Sequence, residues 1–222
     1  MKTSTFSIPI LFFLLFIGGL STVFAQTFDI SSGGLPTITG ALSGSVTGSS
    51  SITTNLAVTI NFGEVSPKNT NNIVKVIVPI AIRSTAAYKV TATVTGSTNA
   101  NLQAIQRTDI GFGANNLQPT GNNSQVCTNS SHIFASPFNN DPSANVTIAA
   151  SGRVTYPSTL NNVGTATTIL SGPRLSKNNA NRGAQNAYTF NAIFTLTPQF
   201  YATGTTSLTI TFTISAGPTA PC

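Results

Sequence analysis

The chain offers few side chains for acid–base or nucleophilic chemistry. Its 222 residues contain one histidine, His132, and four acidic residues. A serine nucleophile would need His132 as its base, with Asp109 or Asp141 to orient the imidazole, and no Gly-x-Ser-x-Gly turn is present. Glycoside hydrolysis needs two carboxylates across a cleft, and Asp109 with Asp141 is the only pair placed in loops. The sequence therefore predicts a protein that is not an enzyme.

Metal-binding and cofactor-binding residues are equally sparse. The two cysteines, Cys127 and Cys222, have only His132 as a further soft ligand, which is too few for a structural zinc site. No Asp-x-Asp-x-Asp run that would predict a calcium loop is present. The run from Gly111 to Gly113 lacks the strand–turn–helix setting of a phosphate-binding loop. We therefore expect no metal and no cofactor.

The first 25 residues have the features of a secretory signal peptide. Lys2 precedes an apolar run from Ile8 to Leu20, and Val23 and Ala25 then occupy the positions that a signal peptidase reads. This pattern predicts cleavage before Gln26, with an N-terminal membrane anchor as the alternative. No later stretch is long and apolar enough to cross a bilayer. We therefore expect a protein of the periplasm, cell surface or medium, with no membrane span after cleavage.

Export gives the two cysteines a simple role. In an oxidising compartment Cys127 and Cys222 are expected to pair with each other, with free or intermolecular thiols as the alternative. The disulfide would tie the C-terminal tail, residues 217–222, to a loop in the middle of the chain. By the chain-entropy model, closing a loop of this length contributes as much as ~4–5 kcal/mol.

The composition is poor in charge and rich in hydroxyl groups. Charged residues make up 6% of the sequence, against ~25% in typical globular domains. Thr, Ser and Asn fill the polar positions instead, and the basic residues are scattered singly rather than clustered beside aromatic residues. Nucleic-acid binding is therefore not expected. Such a surface favours contact with copies of the chain, with sugars or with solid surfaces.

Period-2 alternation of apolar and polar residues dominates both ends of the chain and predicts strands with one buried face. The strongest segments are 56–62, 74–82, 88–95, 188–196 and 208–215, with short candidates at 109–113, 132–134, 146–148, 152–156 and 166–170. The fold class that follows is an all-β antiparallel sandwich, immunoglobulin-like or jelly-roll-like, with long loops. One domain is expected over residues 52–216, preceded at 26–51 by a flexible leader or a first strand.

Pro79 interrupts the strand predicted for 73–82. Because a central strand cannot easily lose a hydrogen-bond donor, this strand is expected at a sheet edge, or with a bulge at Pro79. An exposed edge is where an exported sandwich can recruit a partner. Ile73, Lys75, Ile77 and Pro79 are therefore the predicted assembly edge.

The middle of the chain is expected to be rich in loops, and residues 115–131 read as loop throughout. Loops on a β-frame commonly carry binding sites, so a secreted carbohydrate-binding module using loops 97–145 and 172–187 is the alternative function. Few aromatic residues are left for stacking on sugar once the strands are assigned. They are Phe138, Tyr156, Phe200 and Tyr201, which we interpret as packing beneath the loops.

Three stretches resemble exported bacterial β-sandwiches, namely the Asn61–Pro67 turn, the Ala87-Tyr88-Lys89-Val90 strand start and the final Thr-rich strand. The types they are similar to are pilin-like subunits of chaperone–usher systems and spore-coat-U-like proteins. The resemblance implies a non-catalytic subunit of a surface structure. The expected function is therefore an exported structural or adhesive protein of the bacterial cell surface or extracellular matrix. Its expected partners are copies of itself, other surface subunits and glycans.

Overall fold

The computed structural model of the chain describes residues 28–39, 46–48, 53–62, 73–96, 104–121, 127, 129–144, 146–148, 150, 154–175, 186–199, 201 and 207–219. The strands within these residues are β1 (Phe28–Ser32), β2 (Thr37–Thr39), β3 (Val46–Gly48), β4 (Asn55–Asn61), β5 (Val74–Ser84), β6 (Tyr88–Thr95), β7 (Ile110–Gly121), β8 (Ile133–Phe134), β9 (Thr147–Ile148), β10 (Val154–Thr155), β11 (Thr167–Gly172), β12 (Asn186–Leu196) and β13 (Ser207–Ala216). Short 3-10 turns lie at Arg107–Asp109, Asn129–Ser131, Pro142–Ala144 and Leu160–Val163.

Two antiparallel sheets form a sandwich. The first sheet has the strand order β1–β5–β12–β7, with β2 also paired to β5. The second sheet has the order β3–β4–β13–β6–β11–β8, and β9 and β10 form a separate small hairpin. The prediction of an all-β antiparallel sandwich is confirmed. Among the described residues, no helix is both long enough and apolar enough to cross a membrane.

The core lies between the inner faces of the two sheets. Alternate residues of β5, β6 and β13 are buried, as the period-2 pattern predicts. Phe112 of β7 stacks on Phe194 of β12 at 5.4 Å between ring centroids and reaches Phe212 of the second sheet at 6.3 Å. Each large apolar side chain buried in this way stabilises the fold by about 1.5–3 kcal/mol relative to an exposed one.

The expectation that strand 73–82 lies at a sheet edge is wrong. β12 pairs with one side of β5 along Val74–Ile82. On the other side β1 pairs with residues 80–84 and β2 with residues 75–77. Pro79 falls between these two pairings, and its carbonyl accepts a 2.8 Å hydrogen bond from the Gly33 N–H.

The geometry explains how an interior strand tolerates Pro79. In an antiparallel strand the N–H and C=O of one residue point to the same neighbour. Since the Pro79 carbonyl points toward Gly33, the missing N–H also faces that side, where the chain crosses between β1 and β2. The ladder with β12 therefore loses no donor. Ile73, Lys75, Ile77 and Pro79 are half-buried and do not form a free edge.

Chain segments from the middle of the protein cover one end of the first sheet's outer face. Ile193 and Thr195 occupy outward positions of β12, yet they are 1% and 0% exposed. Opposite them, a Cβ added to Gly113 would lie 2.2 Å from the Asn140 carbonyl oxygen, and one added to Gly111 would lie 2.8 Å from the Tyr156 ring. The first sheet is thus buried on both faces at this end.

Candidate functional site

The outer face of the second sheet carries a regular array of hydroxyl-bearing side chains. We name as the hydroxyl face the nine outward positions that β4, β13 and β6 contribute in three cross-strand rows. These rows are Thr59–Thr209–Thr95, Ala57–Thr211–Thr93 and Asn55–Thr213–Thr91. All nine side chains are exposed or half-buried, whereas the residues between them on each strand are buried. Seven of the nine are threonine, so the array is almost uniform.

The local sequence explains why this array forms. Leu56, Val58 and Ile60 point into the core with 0% exposure, which turns the intervening residues of β4 outward. β13 and β6 repeat the same alternation, and no register shift interrupts their pairing. Threonine suits these positions because its β-branched side chain is restricted at χ1 and packs well on a pleated surface.

The spacing of the array follows from strand geometry. Neighbouring strands lie about 4.8 Å apart, and outward positions along one strand repeat every ~6.8 Å. Thr59 Oγ1 and Thr209 Oγ1 are hydrogen-bonded at 2.9 Å, and Thr213 Oγ1 donates to Asn55 Oδ1 at 2.6 Å. Thr95 Oγ1 donates to the Thr209 carbonyl at 3.3 Å. These bonds orient the hydroxyl groups and leave their methyl groups beside them.

The hydroxyl face has no charged residue among its nine positions. Lys89 occupies the next outward position of β6 beyond Thr91 and pairs with Ser215, so one cation lies at the border. The first sheet differs, because its outward positions on β5 include Lys75 and Arg83, which form ion pairs with Asp141 and Asp29. The two outer faces of the sandwich therefore have different chemistry.

Hydroxyl and methyl groups arranged in this way suit binding rather than catalysis. A hydroxyl group without an adjacent base is a weak nucleophile, and the nine positions include no titratable group. No group of three or more potential metal-ligating side chains occurs among the described residues. The array can offer hydrogen bonds and small apolar contacts to a neutral partner with repeating polar groups.

The structure does not bring His132 and Asp141 together. His132 packs on Tyr188, whose cross-strand partner is Ile82, whereas Asp141 pairs with Lys75. The seven residue steps from position 75 to position 82 of β5 span about 23 Å. Asp141 therefore cannot orient His132 as a base.

Asp109 and Asp141 are both engaged in local structure. Asp109 is 7% exposed and accepts a 2.8 Å hydrogen bond from the Gln106 N–H. Burial acts to raise the pKa of Asp141, but hydrogen bonds from Lys75 and Ser143 outweigh burial and hold that pKa below its usual value. An ionised, hydrogen-bonded Asp141 is a poor general acid.

His132 lies in a buried cluster with two tyrosines. It is 7% exposed, and its Nδ1 is hydrogen-bonded to Tyr88 Oη at 3.0 Å. Burial lowers the pKa of His132 to about 4, although the Cys127 carbonyl opposes part of this effect. Burial also raises the pKa values of Tyr88 and Tyr188. His132 is therefore a neutral interior residue at pH 7.

Two of the loop aromatics belong to the interior. Phe138 is 2% exposed and packs on Phe112, and Tyr156 is 9% exposed and hydrogen-bonded to Thr197. Tyr201 is partly buried against the core, and Phe200 lies outside the described residues. Packing beneath the loops is confirmed for Phe138 and Tyr156. These two rings do not form an exposed platform for stacking on a sugar.

Only one cysteine of the predicted disulfide lies among the described residues. Cys127 is buried, and its carbonyl accepts a hydrogen bond from Tyr188 Oη. Cys222 lies outside the described residues. The pairing of Cys127 with Cys222 therefore stays a prediction.

Sequence reasoning identified the strands of the hydroxyl face but missed the face itself. The alternating threonines of β6 and β13, together with Thr59 of β4, were visible as polar positions of separate strands. Their alignment depends on strand order, because β13 lies between β4 and β6 although it comes last in the chain. A count of threonines at alternate positions could have suggested such a face, but not which strands form it.

Comparison of the chain with protein-family models, curated proteins and solved structures finds no match. The resemblance to pilin-like and spore-coat-U-like proteins therefore stays a prediction.

Proposed function

We propose that this chain is an exported, non-catalytic structural or adhesive protein of the bacterial cell surface or extracellular matrix. The observation that carries the proposal is the hydroxyl face, a three-by-three array without a charged residue. The chemistry of the partner follows from the groups that the hydroxyl face offers. Neutral hydroxyl groups and methyl groups match a neutral, repeating polar polymer such as a polysaccharide, or the same face of another copy.

The size of the hydroxyl face limits the strength of one contact. Three strands and three positions along each strand cover about 14 Å by 20 Å. This area is well below the ~800 Å² per partner of a standard stable interface. A single copy would therefore bind weakly, and adhesion would depend on many copies acting together, since linked weak sites gain avidity without new contacts.

The N-terminal strands support a role in self-association, including that of a pilus-type subunit. β1 and β2 are short strands that complete the first sheet beside β5, and Ile30 of β1 is fully buried. Ile30 also exchanges backbone hydrogen bonds with Thr53, next to β4. The same segment from another copy could make these contacts, because strand addition uses backbone hydrogen bonds plus pockets for alternate side chains.

A pelleting assay with charged variants tests the proposal. The protein, purified after export, is mixed with insoluble polysaccharides and with bacterial cell walls, and the pelleted fraction is measured. Thr93→Lys/Thr211→Lys places two charges at the centre of the hydroxyl face. We expect the wild type to pellet and this variant to lose most of its binding.

A matched control separates the position of the charges from their number. Thr155→Lys/Asn161→Lys adds the same two charges at exposed positions outside the hydroxyl face. This control is expected to pellet like the wild type. Equal binding by the wild type and both double variants would remove the hydroxyl face from the proposal.

A further inference from the structure

His132 joins the two sheets through its neighbours. Tyr88 comes from β6 of the second sheet and Tyr188 from β12 of the first, and both are at most 1% exposed. The His132 ring lies 5.8 Å from the Tyr88 ring and 4.8 Å from the Tyr188 ring, measured between centroids. The segment that carries His132 is therefore anchored in the gap between the sheets.

The groups around His132 compensate only in part for burying a charge on its ring, because burial outweighs the hydrogen bond to the Cys127 carbonyl. From the elements packed around it, the ring meets the hydroxyl of Tyr88, the ring of Tyr188, the backbone at Gly172 and the carbonyl of Cys127. His132 Nε2 is buried and makes no hydrogen bond. An imidazolium carries an N–H on both ring nitrogens, so protonation would bury a charge and add a donor at Nε2, which has no hydrogen-bond partner among the described residues.

Among the residues that the structure describes, no charged side chain offsets this cost. Lys89 follows Tyr88 but occupies an outward position of β6, and Arg174 follows Gly172 but is exposed. Neither contributes to the pKa of His132, which burial lowers. A proton can therefore bind His132 readily only if the ring leaves the cluster.

The segment that carries His132 covers a strand edge. β8, which begins immediately after His132, pairs with β11 through only two residues, and the Ala135 N–H adds a 2.9 Å hydrogen bond to the Ile169 carbonyl. Short pairings of this kind open more easily than core strands. Without β8, β11 would present unpaired backbone groups next to the second sheet's outer face, and such an edge is a template for association.

We propose that the Tyr88–His132–Tyr188 cluster is an acid-sensitive latch, in which protonation of His132 releases residues 129–135 and uncovers the edge of β11. The closed state holds His132 neutral, and the open state exposes it to water, where its pKa is about 6.5. Below pH 6.5 the open state binds one more proton than the closed state. The opening constant therefore rises by up to about tenfold per pH unit from pH 6.5 down to about pH 4.

Hydrogen exchange of the protein tests this latch between pH 7.5 and pH 4.5, after correction for the intrinsic exchange rate. Peptides that cover 129–135 should lose protection progressively below pH 6.5, while peptides of β5 and β12 remain protected. In His132→Gln, which cannot titrate, the pH-dependent part of this loss should disappear. In Tyr88→Phe, which keeps a buried His132, the pH-dependent loss of protection should remain.

Other outcomes would overturn the latch. Parallel loss of protection in β5 and β12 would mean global unfolding, and an unchanged pH dependence in His132→Gln would assign the effect to another group. NMR supplies a readout that needs no variant, because His132 is the only histidine of the chain. Its imidazole signals should titrate well below pH 6.5, and a midpoint at or above 6.5 would refute the proposal.

Discussion

At the scale of single residues, two glycines allow the middle of the chain to lie on the first sheet. Gly111 and Gly113 occupy outward positions of β7 opposite Thr195 and Ile193. The Asn140 carbonyl approaches the backbone so closely at Gly113 that no side chain fits between them. Glycine is therefore required here for close approach of backbone to backbone, rather than for a special backbone angle.

Gly113→Ala should destabilise the protein by about 1–3 kcal/mol, because the new methyl group must push away a backbone carbonyl. Urea unfolding at pH 7 measures this change. Gly164→Ala is the matched control, since a Cβ there would meet nothing closer than 3.5 Å and the backbone is right-handed helical. The control should change stability by less than about 0.5 kcal/mol. Equal effects of the two substitutions would contradict the close packing at Gly113.

Lys75→Met should lower stability at pH 7 by roughly 1 kcal/mol, since it removes the partly buried ion pair with Asp141. Because the pKa of Asp141 is lowered in the folded state, this contribution is present above its unfolded pKa and is lost as the pH falls through its folded pKa. The difference between wild type and variant should therefore shrink below pH 3.8. Urea unfolding at pH 7 and pH 3 measures it.

Lys89→Met supplies the comparison for this ion pair. Lys89 forms no ion pair among the described residues, so its removal should leave stability at pH 7 nearly unchanged. A pH-independent loss in Lys75→Met would mean that packing of the lysine stem, rather than the ion pair, stabilises this contact.

At the scale of elements, the accuracy of sequence reasoning depended on which faces of a strand are covered. β4, β5, β6, β12 and β13 each alternate between buried and polar residues, so period 2 located them. β7 was expected to be short and to pass into a loop at residue 115, yet it runs from Ile110 to Gly121. Its outward glycines and a bulge at Asn116, where φ is 56°, remove the alternation.

The error about β5 has a different cause. Pro79 correctly signalled a missing backbone donor, but the sequence does not tell which side of the strand that donor would face. The answer depends on β1 and β2, which pair with that side of β5. These strands are short, and the glycines between them hide the alternating pattern by which they could be recognised. The hydroxyl face was missed for a related reason, since it depends on strand order.

Ile30→Ala should cost about 2–4 kcal/mol, because the Ile30 side chain is fully buried where β1 joins β5 to the start of β4. Leu35→Ala is the control on the same N-terminal segment, because Leu35 is 90% exposed, and it should stay within about 0.5 kcal/mol of the wild type. Thermal or urea unfolding measures the free energy of unfolding of both variants and of the wild type. A negligible effect of Ile30→Ala would show that β1 does not contribute to the stability of the sandwich.

At the scale of the whole molecule, the sandwich has two unlike outer faces. The first sheet carries ion pairs and is covered at one end by residues between β7 and β11. The second sheet presents the hydroxyl face, whose nine positions carry no charge. Under the proposed function, the second sheet would make the repeated weak contacts and the covered first sheet would not.

The association state of the protein without its first 25 residues tests the proposed function most directly, measured by size-exclusion chromatography with electron microscopy over a series of protein concentrations and with polysaccharide present. We expect the wild type to form oligomers or filaments, or to decorate the polysaccharide. The Thr93→Lys/Thr211→Lys variant should remain monomeric and unbound. A wild type that is monomeric at every concentration and binds no surface would contradict the proposed function.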